Sequence, residues 1–259
     1  MKMYKPKLTI ITGASSGIGY EFAKSCASLG SDLLLISRNS AKLEDIKSEL
    51  ERDFNIKVLL LPCDLTKTES INQINNYLES NKLVPDLLFN NAGKGLYGIF
   101  DSNLSEKENE IIHLNIIALT SLCKIIAEIM KANRYGIIIN VSSTAAFHIS
   151  SKWSVYAATK SYVFSFSLSL AEELIKSGIL VSVLCPGKTD TDFDINSGNP
   201  DYNKKEKSSA EFVVQYTLNK VARGKQIIIP GIKNKLKYFF SKYCPIFIYK
   251  LIILKYYNN

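Results

Sequence analysis

Seven short apolar runs, each separated from the next by a stretch of helical periodicity, constrain the fold more than any other feature of the sequence. The runs are rich in Val, Ile and Leu and almost continuous, as in residues 32–37, which read DLLLIS. Strands that are apolar on both faces are typical of a parallel sheet covered by helices on both sides. The predicted strands are residues 8–12, 32–37, 56–61, 86–90, 137–141, 179–184 and 226–229.

Helical patterns occupy the intervals between these runs, and Ser40 is the predicted N-cap of the second helix. Right-handed crossovers then predict an α/β fold with a single doubly wound parallel sheet, seven strands and helices on both faces. We find no linker, repeat or low-complexity tract, so we predict one domain with a core at 7–230 and a short helical extension at 231–259. The predicted helices are residues 20–29, 40–53, 66–80, 105–133, 154–177 and 208–222.

Charge and cysteine content exclude several classes of protein. The 32 basic residues exceed the 24 acidic ones by 8, a balance that can indicate nucleic acid or anionic lipid as a partner. The basic residues are scattered, denser only near the C-terminus, and form no basic–aromatic stripe, so we expect solvated surface and no nucleic-acid partner. Five cysteines without C-x-x-C spacing indicate buried thiols in a reducing compartment, and two distant histidines indicate no metal site. The N-terminus lacks a signal-peptide pattern, which predicts a cytoplasmic protein.

A glycine-rich segment, TGASSGIG at residues 12–19, joins the first predicted strand to the first helix. Gly13, Gly17 and Gly19 let the backbone turn tightly and approach a pyrophosphate, which free N–H groups at the helix N-terminus stabilise. The spacing is Gly-x-x-x-Gly-x-Gly rather than the commoner G-x-G-x-x-G. A turn that only connects strand to helix is the alternative, but the position at the first βα junction favours dinucleotide binding.

The end of the second strand reads Ser37-Arg38-Asn39 and contains no acidic residue. An acid at this position would bind the ribose 2′-hydroxyl of NAD(H), whereas a basic residue accommodates the 2′-phosphate of NADP(H). Arg38 can form a fork of hydrogen bonds to phosphate, and Ser37 can add a hydroxyl. We therefore predict NADP(H) over NAD(H). An ordinary surface arginine at a turn is the alternative.

Tyr156 and Lys160 lie four residues apart at the start of a predicted helix, one turn from each other on the same face. A nearby ammonium favours phenolate over phenol and lowers the pKa of tyrosine. Such a tyrosine can donate or accept a proton while a carbonyl and an alcohol interconvert. Alone, the pair is more often part of a helix surface.

Several motifs occur along the chain in one order: TGASSGIG at 12–19, Asp64, NNAG at 90–93, Asn115, Ser143, Tyr156 with Lys160, and Pro186-Gly187 followed by Thr191. In this order and spacing, residues 7–230 resemble the short-chain dehydrogenase/reductase family. The resemblance implies a Rossmann fold and an NAD(P)-dependent oxidoreductase that acts on carbonyl and hydroxyl groups.

The resemblance also implies a role for each matched residue. Tyr156 is the implied general acid, and Lys160 would lower its pKa and hydrogen-bond the nicotinamide ribose. Ser143 would polarise the substrate carbonyl, and Asn115 would bend its helix and hold a water that links Lys160 to solvent. The candidate catalytic residues are Asn115, Ser143, Tyr156 and Lys160. The candidate cofactor-binding residues are Gly13, Ser15, Ser16, Gly17, Ile18, Gly19, Ser37, Arg38, Asp64, Leu65, Asn91, Ala92, Gly93, Tyr156, Lys160, Pro186, Gly187, Thr189 and Thr191.

Residues 144–155 and 188–207 are predicted to form a pocket wall and a mobile lid. Phe147, Trp153 and Phe193 within them can supply apolar contacts to a partly apolar carbonyl compound, or can pack against the edge of the sheet. Two charged or titratable residues near these loops have no assigned role. They are His148, for which a solvent-facing position is expected, and Lys94, directly after NNAG.

The extension from Ile232 to Tyr257 alternates apolar side chains with lysines, and Pro245 and Lys250 divide it into pieces too short to span a bilayer. Two interpretations remain. An amphipathic hairpin can lie on a membrane surface, or the segment can cover the pocket or a subunit interface. Resemblance to soluble members of the family favours the second.

Together these patterns predict a reversible NADPH-dependent carbonyl reductase acting on a small-molecule ketone or aldehyde. The resemblance implies a homodimer or homotetramer that pairs through the helices carrying Asn115 and Tyr156. A dinucleotide-binding sensor or membrane-recruited scaffold without turnover is the alternative, although neither needs a proton donor beside the nicotinamide.

Overall fold

The computed structural model describes residues 5–200 and 207–243, and these form a seven-stranded parallel sheet with helices on both faces. The strand order is β3-β2-β1-β4-β5-β6-β7, which confirms the predicted doubly wound α/β fold. The order reverses between β1 and β4, and a crevice for ligands opens at the carboxyl ends of the strands at such a point. The strands are β1 Leu8–Thr12, β2 Asp32–Ser37, β3 Val58–Pro62, β4 Leu87–Asn90, β5 Gly136–Val141, β6 Ile179–Leu184 and β7 Ile227–Ile228.

Nine α-helical segments are present in the described part of the chain. Short 3-10 turns occur at Phe100–Ser102, Thr144–Phe147 and Ile175–Ser177. Residues 201–206 of the predicted lid and 244–259 of the predicted extension lie outside the described residues. The helices are α1 Gly17–Ser28, α2 Ser40–Asp53, α3 Ser70–Ser80, α4 Ser105–Ile112, α5 Leu119–Asn133, α6 Ser154–Leu174, α7 Phe193–Asn196, α8 Ala210–Val221 and α9 Ile232–Tyr243.

The start of α2 corrects one prediction. Ser40 is the first helical residue, and Asn39 is the N-cap, because its side-chain oxygen accepts a hydrogen bond from the Lys42 amide at 3.0 Å. Asparagine and serine are both good N-caps, so composition alone did not distinguish two neighbouring candidates.

The third and eighth helices begin later than predicted. Helix α3 starts at Ser70 rather than at residue 66, because the Asp64 carboxylate accepts hydrogen bonds from the amide and hydroxyl of Thr66 and closes a turn there. Helix α8 starts at Ala210, with the Ser209 hydroxyl accepting from the Phe212 amide. The turn at Asp64 competes with helix formation, whereas the Ser209 bond is an N-cap that fixes where α8 begins.

Strands β1 to β6 each contribute to two separate cores, which explains the nearly continuous apolar runs. Ile10 faces the core formed with α3, α5 and α6, whereas the neighbouring Ile11 faces the core formed with α1, α2 and α8. Successive side chains of a strand point to opposite faces of the sheet, so both must be apolar when both faces are covered.

The helical stretch Ser105–Asn133 is long and apolar enough, by length and composition, to cross a membrane. Half of its most apolar window is buried inside the protein. Leu122, Ile126 and Met130 are fully buried in the core against the sheet. This packing accounts for the apolar composition as that of a core helix.

Four of the five cysteines, Cys26, Cys63, Cys123 and Cys185, are buried free thiols, as expected; Cys244 lies outside the described residues. Burial raises the pKa of Cys26 and of Cys123 to about 12, so neither thiol ionises at neutral pH.

Candidate active site

The loop between β1 and α1 depends on glycines at two positions with positive φ. Gly13 has φ of +64° and Gly17 of +55°, a region that L-residues rarely adopt. A Cβ on Gly13 would lie 2.9 Å from Nδ2 of Asn91, and one on Gly17 would lie 2.8 Å from Cγ2 of Thr191. The loop therefore brings together three segments that the sequence predicts at the cofactor site, and it leaves no room for side chains between them.

Gly19 has a different function from the other two glycines. A Cβ at Gly19 would lie 2.1 Å from the carbonyl oxygen of Gly13, so the first turn of α1 packs directly on the loop backbone. The residue is buried and is not part of the cleft lining. Helix α1 begins at Gly17 rather than at residue 20 and encloses Gly19, so the predicted contact of Gly19 with cofactor stays a prediction.

Asn91 holds the glycine loop to the end of β4. Its side-chain amide donates to the carbonyl oxygens of Thr12 at 3.1 Å and Gly13 at 3.2 Å. The backbone amides of Asn91 and Ala92 both donate to the Thr12 hydroxyl at 2.9 Å. This network aligns the NNAG segment beside the loop.

A shallow pocket of about 330 Å³ lies beside the glycine loop and is lined by Ser15, Ser37, Arg38 and Asn39. The hydroxyls of Ser15 and Ser37 are 2.9 Å apart, and Arg38 is exposed at the rim. The lining provides two hydroxyls, an amide and a guanidinium, and it contains no carboxylate. This chemistry fits a phosphate group, since arginine pairs with phosphate in a bidentate manner.

Asp64 follows β3 and lines the same cleft. Burial tends to raise the pKa of Asp64. Two hydrogen bonds from Thr66 and the charges of Arg38 and Lys67 outweigh this effect and bring the pKa below its ordinary value. The carboxylate is therefore ionised at neutral pH, with Thr66 fixing its orientation.

Tyr156, in the first turn of α6, meets Ser143, which follows β5. The pKa of Tyr156 is raised to about 12, mainly by burial and also by the charge of Asp194, and a hydrogen bond with the Ser143 side chain offsets part of this rise. The phenol therefore holds its proton at neutral pH, as a general acid must. Ser143 also caps the following 3-10 turn, accepting from the Ala145 amide at 3.1 Å.

Lys160 is buried one turn beyond Tyr156, and its ammonium donates to the carbonyl oxygen of Val141 at 2.8 Å. Burial lowers the pKa of Lys160 to about 8. The pKa of Tyr156 is nonetheless raised overall, so the lowering of that pKa by Lys160 stays a prediction. The ammonium is 5.8 Å from the centre of the tyrosine ring, and the desolvation of Tyr156 outweighs the other influences on its pKa.

Asn115 lies in a π-helical turn, His113–Ala118, that interrupts the predicted continuous helix between α4 and α5. Its side chain accepts from the Lys94 amide at 3.0 Å and donates to the Lys94 carbonyl at 2.9 Å and to the Thr159 hydroxyl at 3.0 Å. The residue is fully buried and is not among the residues that line the cleft. It connects the segment after NNAG to the helix turn that carries Lys160.

Lys94, for which the sequence suggested no role, has two functions in this arrangement. Its backbone is the partner of Asn115, and its ammonium forms an ion pair with Glu110 in α4. The hydrogen bond and charge of Lys94 lower the pKa of Glu110. The side chain thus points to α4, and the backbone positions the catalytic helix.

Tyr97, Trp153 and Phe193 form an aromatic cluster, of which Trp153 and Phe193 contact the ring of Tyr156. Trp153 lies 5.4 Å from Tyr156 and 5.6 Å from Tyr97, measured between ring centres. Phe193 lies 5.3 Å from Tyr156 and is stacked on Trp153 at 6.3 Å. Trp153 and Phe193 were expected as possible substrate contacts, whereas Tyr97 was missed because its segment has no motif or periodic pattern.

Phe147 packs inside the protein, which is the alternative to a substrate contact that the sequence left open. It packs against Phe164 of α6 and Tyr238 of α9, with ring centres 5.0 Å and 4.7 Å away, and does not line the cleft. His148, by contrast, is exposed to solvent as expected and also lines the cleft, where partial loss of solvent around its imidazole lowers its pKa. Its place in the pocket-wall loop 144–155 was the available signal.

One segment of the predicted lid is held by a buried ion pair. The ammonium of Lys207 lies 3.2 Å from the Asp194 carboxylate, and the Lys207 side chain is 1% exposed. Thr189 and Ser208 also pair as an isolated parallel bridge. These contacts fix both described ends of the lid beside the aromatic cluster.

The glycine loop, the phosphate-type pocket and the Ser143, Tyr156 and Lys160 side chains open onto a single cleft of about 1120 Å³. Every candidate site residue lines it except Gly19 and Asn115. The volume exceeds that of most drug-sized pockets, and with the glycine loop and the phosphate-type pocket at one end it fits a nicotinamide dinucleotide together with a substrate.

Comparison with protein families finds a match between residues 7–201 and the short chain dehydrogenase family. Mouse 17-beta-hydroxysteroid dehydrogenase type 3 is 32% identical over 209 residues, which are 79% of this chain. The match spans 66% of the mouse protein, just under two thirds of its length. An uncharacterized oxidoreductase of Staphylococcus aureus is 28% identical over 84% of this chain and 93% of its own length.

Among solved structures, a short-chain dehydrogenase from Sphingobium yanoikuyae in complex with NADPH is 31% identical, with a TM-score of 0.83 over 87% of this chain and 88% of that chain. A bulky-bulky ketone specific alcohol dehydrogenase from Comamonas testosteroni is 26% identical, with a TM-score of 0.80 over 88% of each chain. A Burkholderia phymatum short chain dehydrogenase/reductase in complex with NAD, 24% identical with a TM-score of 0.79 over 88% of this chain and 90% of that chain, shares the fold.

Proposed function

Because this chain belongs to the short-chain dehydrogenase family and is thus an oxidoreductase of hydroxyl and carbonyl groups, we propose that it reduces a ketone or aldehyde reversibly with NADPH. The observation that carries the proposal is the meeting of Tyr156 and Ser143, with Lys160 one turn away, in the cleft that the glycine loop also lines. A proton donor, a hydroxyl for the carbonyl oxygen and a buried cation are what carbonyl reduction requires beside a dinucleotide.

The bound dinucleotide supplies the hydride. Tyr156, protonated at neutral pH, gives its proton to the carbonyl oxygen as that oxygen gains negative charge. The Ser143 hydroxyl donates a hydrogen bond to the same oxygen, where it stabilises the developing charge. Hydride on carbon and proton on oxygen complete the alcohol, and Tyr156 takes up a proton again before the next turnover.

Lys160 acts in this scheme through its charge. With a pKa near 8, it is mostly protonated at neutral pH and favours the phenolate that Tyr156 becomes after proton transfer. Asn115 is a positioning residue, since it holds Thr159, the neighbour of Lys160, to the segment after NNAG. The water that the family resemblance implies between Asn115 and Lys160 stays a prediction.

The preference for NADPH rests on the pocket formed by Ser15, Ser37, Arg38 and Asn39. It provides donors for a 2′-phosphate and no carboxylate for a 2′-hydroxyl. The Sphingobium relative, with NADPH bound, supports the assignment, although a relative with the same fold binds NAD.

We also propose a bulky, predominantly apolar carbonyl compound as substrate. Trp153 and Phe193 present aromatic surface next to Tyr156, and Tyr97 extends it beyond Trp153; flat apolar substrates gain most from such surface. The names of two relatives, a 17-beta-hydroxysteroid dehydrogenase and a bulky-bulky ketone specific alcohol dehydrogenase, support this class.

A homo-oligomer remains part of the proposal. Ile117, in the π-helical turn, is 49% exposed, and Tyr162 on α6 is 38% exposed. Tyr162 hydrogen-bonds Thr120 and stacks on Phe166, so the two helices present one continuous, partly apolar surface. A second copy that packs on this surface would bury it.

Titration of the purified chain with NADPH and with NADH, followed by a panel of carbonyl compounds of increasing size, tests the proposal. We expect tighter binding of NADPH and oxidation of NADPH by bulky ketones. Binding without turnover on any ketone or aldehyde would favour a dinucleotide sensor instead. Failure to bind either dinucleotide would contradict the assignment of the glycine loop.

A further inference from the structure

Helix α9 exposes one apolar face to solvent. Ile232, Leu236, Phe239 and Tyr243 recur at intervals of four, three and four residues, which places them on one side of a helix. Their exposed fractions are 69%, 65%, 60% and 65%. Contiguous exposed apolar surface of this kind marks an interaction site rather than ordinary surface.

The opposite side of α9 fastens the helix to the protein. The ring of Tyr238 packs against Phe147 and Phe164, in a small core with Val183 and Cys185. Asn234 donates to the Pro230 carbonyl at 2.7 Å, and its side chain fills the space where a Cβ of Gly187 would stand. The exposed face is therefore held in a fixed orientation.

The described residues of α9 do not line the active-site cleft. A partner that covers Leu236 and Phe239 must therefore approach from outside the substrate pocket. The charge of α9 and its neighbouring residues indicates the chemistry of that partner.

Basic residues are concentrated at this end of the chain. After Glu211 the sequence contains nine lysines and arginines and no acidic residue, whereas the residues up to Glu211 contain 23 basic and 24 acidic side chains. The net charge of +8 thus arises entirely from the last 48 residues. Lys233, Lys235, Lys237 and Lys242 belong to α9 itself.

We propose that α9 docks the protein on an anionic membrane surface, with Leu236 and Phe239 inserted among the lipids and the lysines on the headgroups. A helix with one apolar face flanked by lysines lies in the plane of a membrane interface. Each lysine near an anionic surface adds attraction, and the effect is sensitive to salt.

The charge pattern argues against the two other occupants of this face. A symmetric contact with a second copy would bring the lysines of α9 toward those of its partner without any acid to pair with them. Residues 244–259 contain lysines and no acid, so that part of the sequence supplies no negative charge to pair with the lysines of α9. Anionic lipid provides both the apolar phase and the missing negative charge.

Docking would bring the membrane close to the active-site wall. Phe147, which Tyr238 of α9 contacts, belongs to the 3-10 turn that starts directly after Ser143. An apolar substrate dissolved in lipid would then lie near the pocket. This consequence rests on the proposed function, whereas the docking itself does not.

Vesicle co-sedimentation of the full chain tests the proposal, using phosphatidylcholine vesicles with and without phosphatidylserine. We expect binding to the anionic vesicles, weaker binding to the neutral ones, and release as salt is raised. Leu236→Glu should weaken binding at least about tenfold, since a charge replaces an apolar side chain that would be inserted in the lipid. Ile175→Glu is the matched control, because Ile175 is 59% exposed and lies outside α9.

Lys233→Glu provides a second, independent variant. It should weaken binding to anionic vesicles about fivefold or more and leave binding to neutral vesicles unchanged. Absence of wild-type binding to anionic vesicles, or equal binding by Leu236→Glu and wild type, would overturn the proposal. A wild-type dimer that Leu236→Glu converts to a monomer, together with no vesicle binding, would identify the face as a subunit interface instead. NADPH titration of each variant reports separately on the proposed activity.

Discussion

The two ends of the cleft are built in different ways. At the cofactor end the backbone itself forms the surface, and Gly13, Gly17 and Gly19 leave no free space around their Cα atoms. At the substrate end, side chains from three separate segments form the surface, namely Tyr97, Trp153 and Phe193. A backbone segment cannot shift unless the residues packed around it also shift, whereas the far end of a side chain can move alone. The cofactor end should therefore tolerate little change and the substrate end much more.

Gly19→Ala should have the largest effect of the substitutions that test this difference. The added Cβ would meet the Gly13 carbonyl at 2.1 Å, and relief requires the whole loop to shift. Overpacking of this kind costs about 1–3 kcal/mol. We expect the protein to lose that much stability and NADPH affinity to fall about tenfold to hundredfold, measured by urea denaturation and fluorescence titration.

Gly30→Ala is the control for Gly19→Ala. Gly30 has φ of +80° and nothing within 4 Å of its ideal Cβ, so the substitution strains the backbone without a clash. It should cost about 1 kcal/mol of stability and leave NADPH affinity unchanged. Equal NADPH affinity in both variants would contradict the tight packing assigned to Gly19.

Lys160→Met should change how stability depends on pH. In the native chain the pKa of Lys160 is about 8, below its ordinary value of 10.5, so between these values the unfolded chain binds more protons. Wild-type stability relative to the variant must then rise with pH in this range, by up to about 1.4 kcal/mol per pH unit. Urea denaturation at pH 7.5 and pH 9.5, without cofactor, should show a relative gain of about 2 kcal/mol for wild type.

The same experiment separates burial from other effects of the substitution. Below the native pKa of Lys160, both states hold the proton, and the relative stability of the two proteins should be independent of pH. A difference that stays constant from pH 7.5 to pH 9.5 would mean that burial does not perturb Lys160.

Arg38→Asp tests the pocket at the outer end of the cofactor site. Replacing the guanidinium by a carboxylate removes a group that binds the 2′-phosphate and adds an acceptor for a 2′-hydroxyl. NADPH affinity should therefore fall about tenfold, while NADH affinity stays the same or improves. Arg223→Asp, an exposed arginine outside the cleft lining, is the control for the change in charge. Equal losses for both dinucleotides would refute the assignment of the phosphate pocket.

Gly95→Ala adds the same methyl group as Gly19→Ala, but at the substrate end of the cleft. A Cβ there would lie 2.8 Å from Phe193 and 2.9 Å from Trp153, in each case near the far edge of a ring that can shift. We expect NADPH affinity to be unchanged and the KM for a bulky ketone to change by about threefold or less, the effect of under 1 kcal/mol. Loss of NADPH binding in this variant would contradict the contrast between the two ends.

The same difference decides what could be predicted from the sequence. All seven strands lie within two residues of their predicted bounds at each end, and the glycine loop occupies its predicted place, because local patterns determine both. Motif residues such as Ser143 and Tyr156 line the cleft, and the roles that the family resemblance implies for them stay predictions. The last strand is shorter, with two residues paired at the sheet edge.

Features that arise between distant segments could not be predicted. The aromatic cluster needs Tyr97 to meet Trp153, 56 positions later in the sequence, and no periodicity encodes that contact. The π-helical turn at Asn115 depends on a hydrogen bond to Thr159 on another helix. The high pKa of Tyr156 depends on burial, which a helix-face argument from Lys160 does not include.

Single-turnover oxidation of NADPH by Tyr156→Phe tests the central claim most directly, with Tyr162→Phe, an exposed tyrosine on the same helix, as control. On a ketone that wild type reduces, Tyr156→Phe should bind NADPH with nearly unchanged affinity and transfer hydride about 100- to 10,000-fold more slowly, because it has no proton to donate. Tyr162→Phe should react like wild type. A Tyr156→Phe variant that reduces the ketone within a few fold of the wild-type rate would contradict the assignment of Tyr156 as the proton donor.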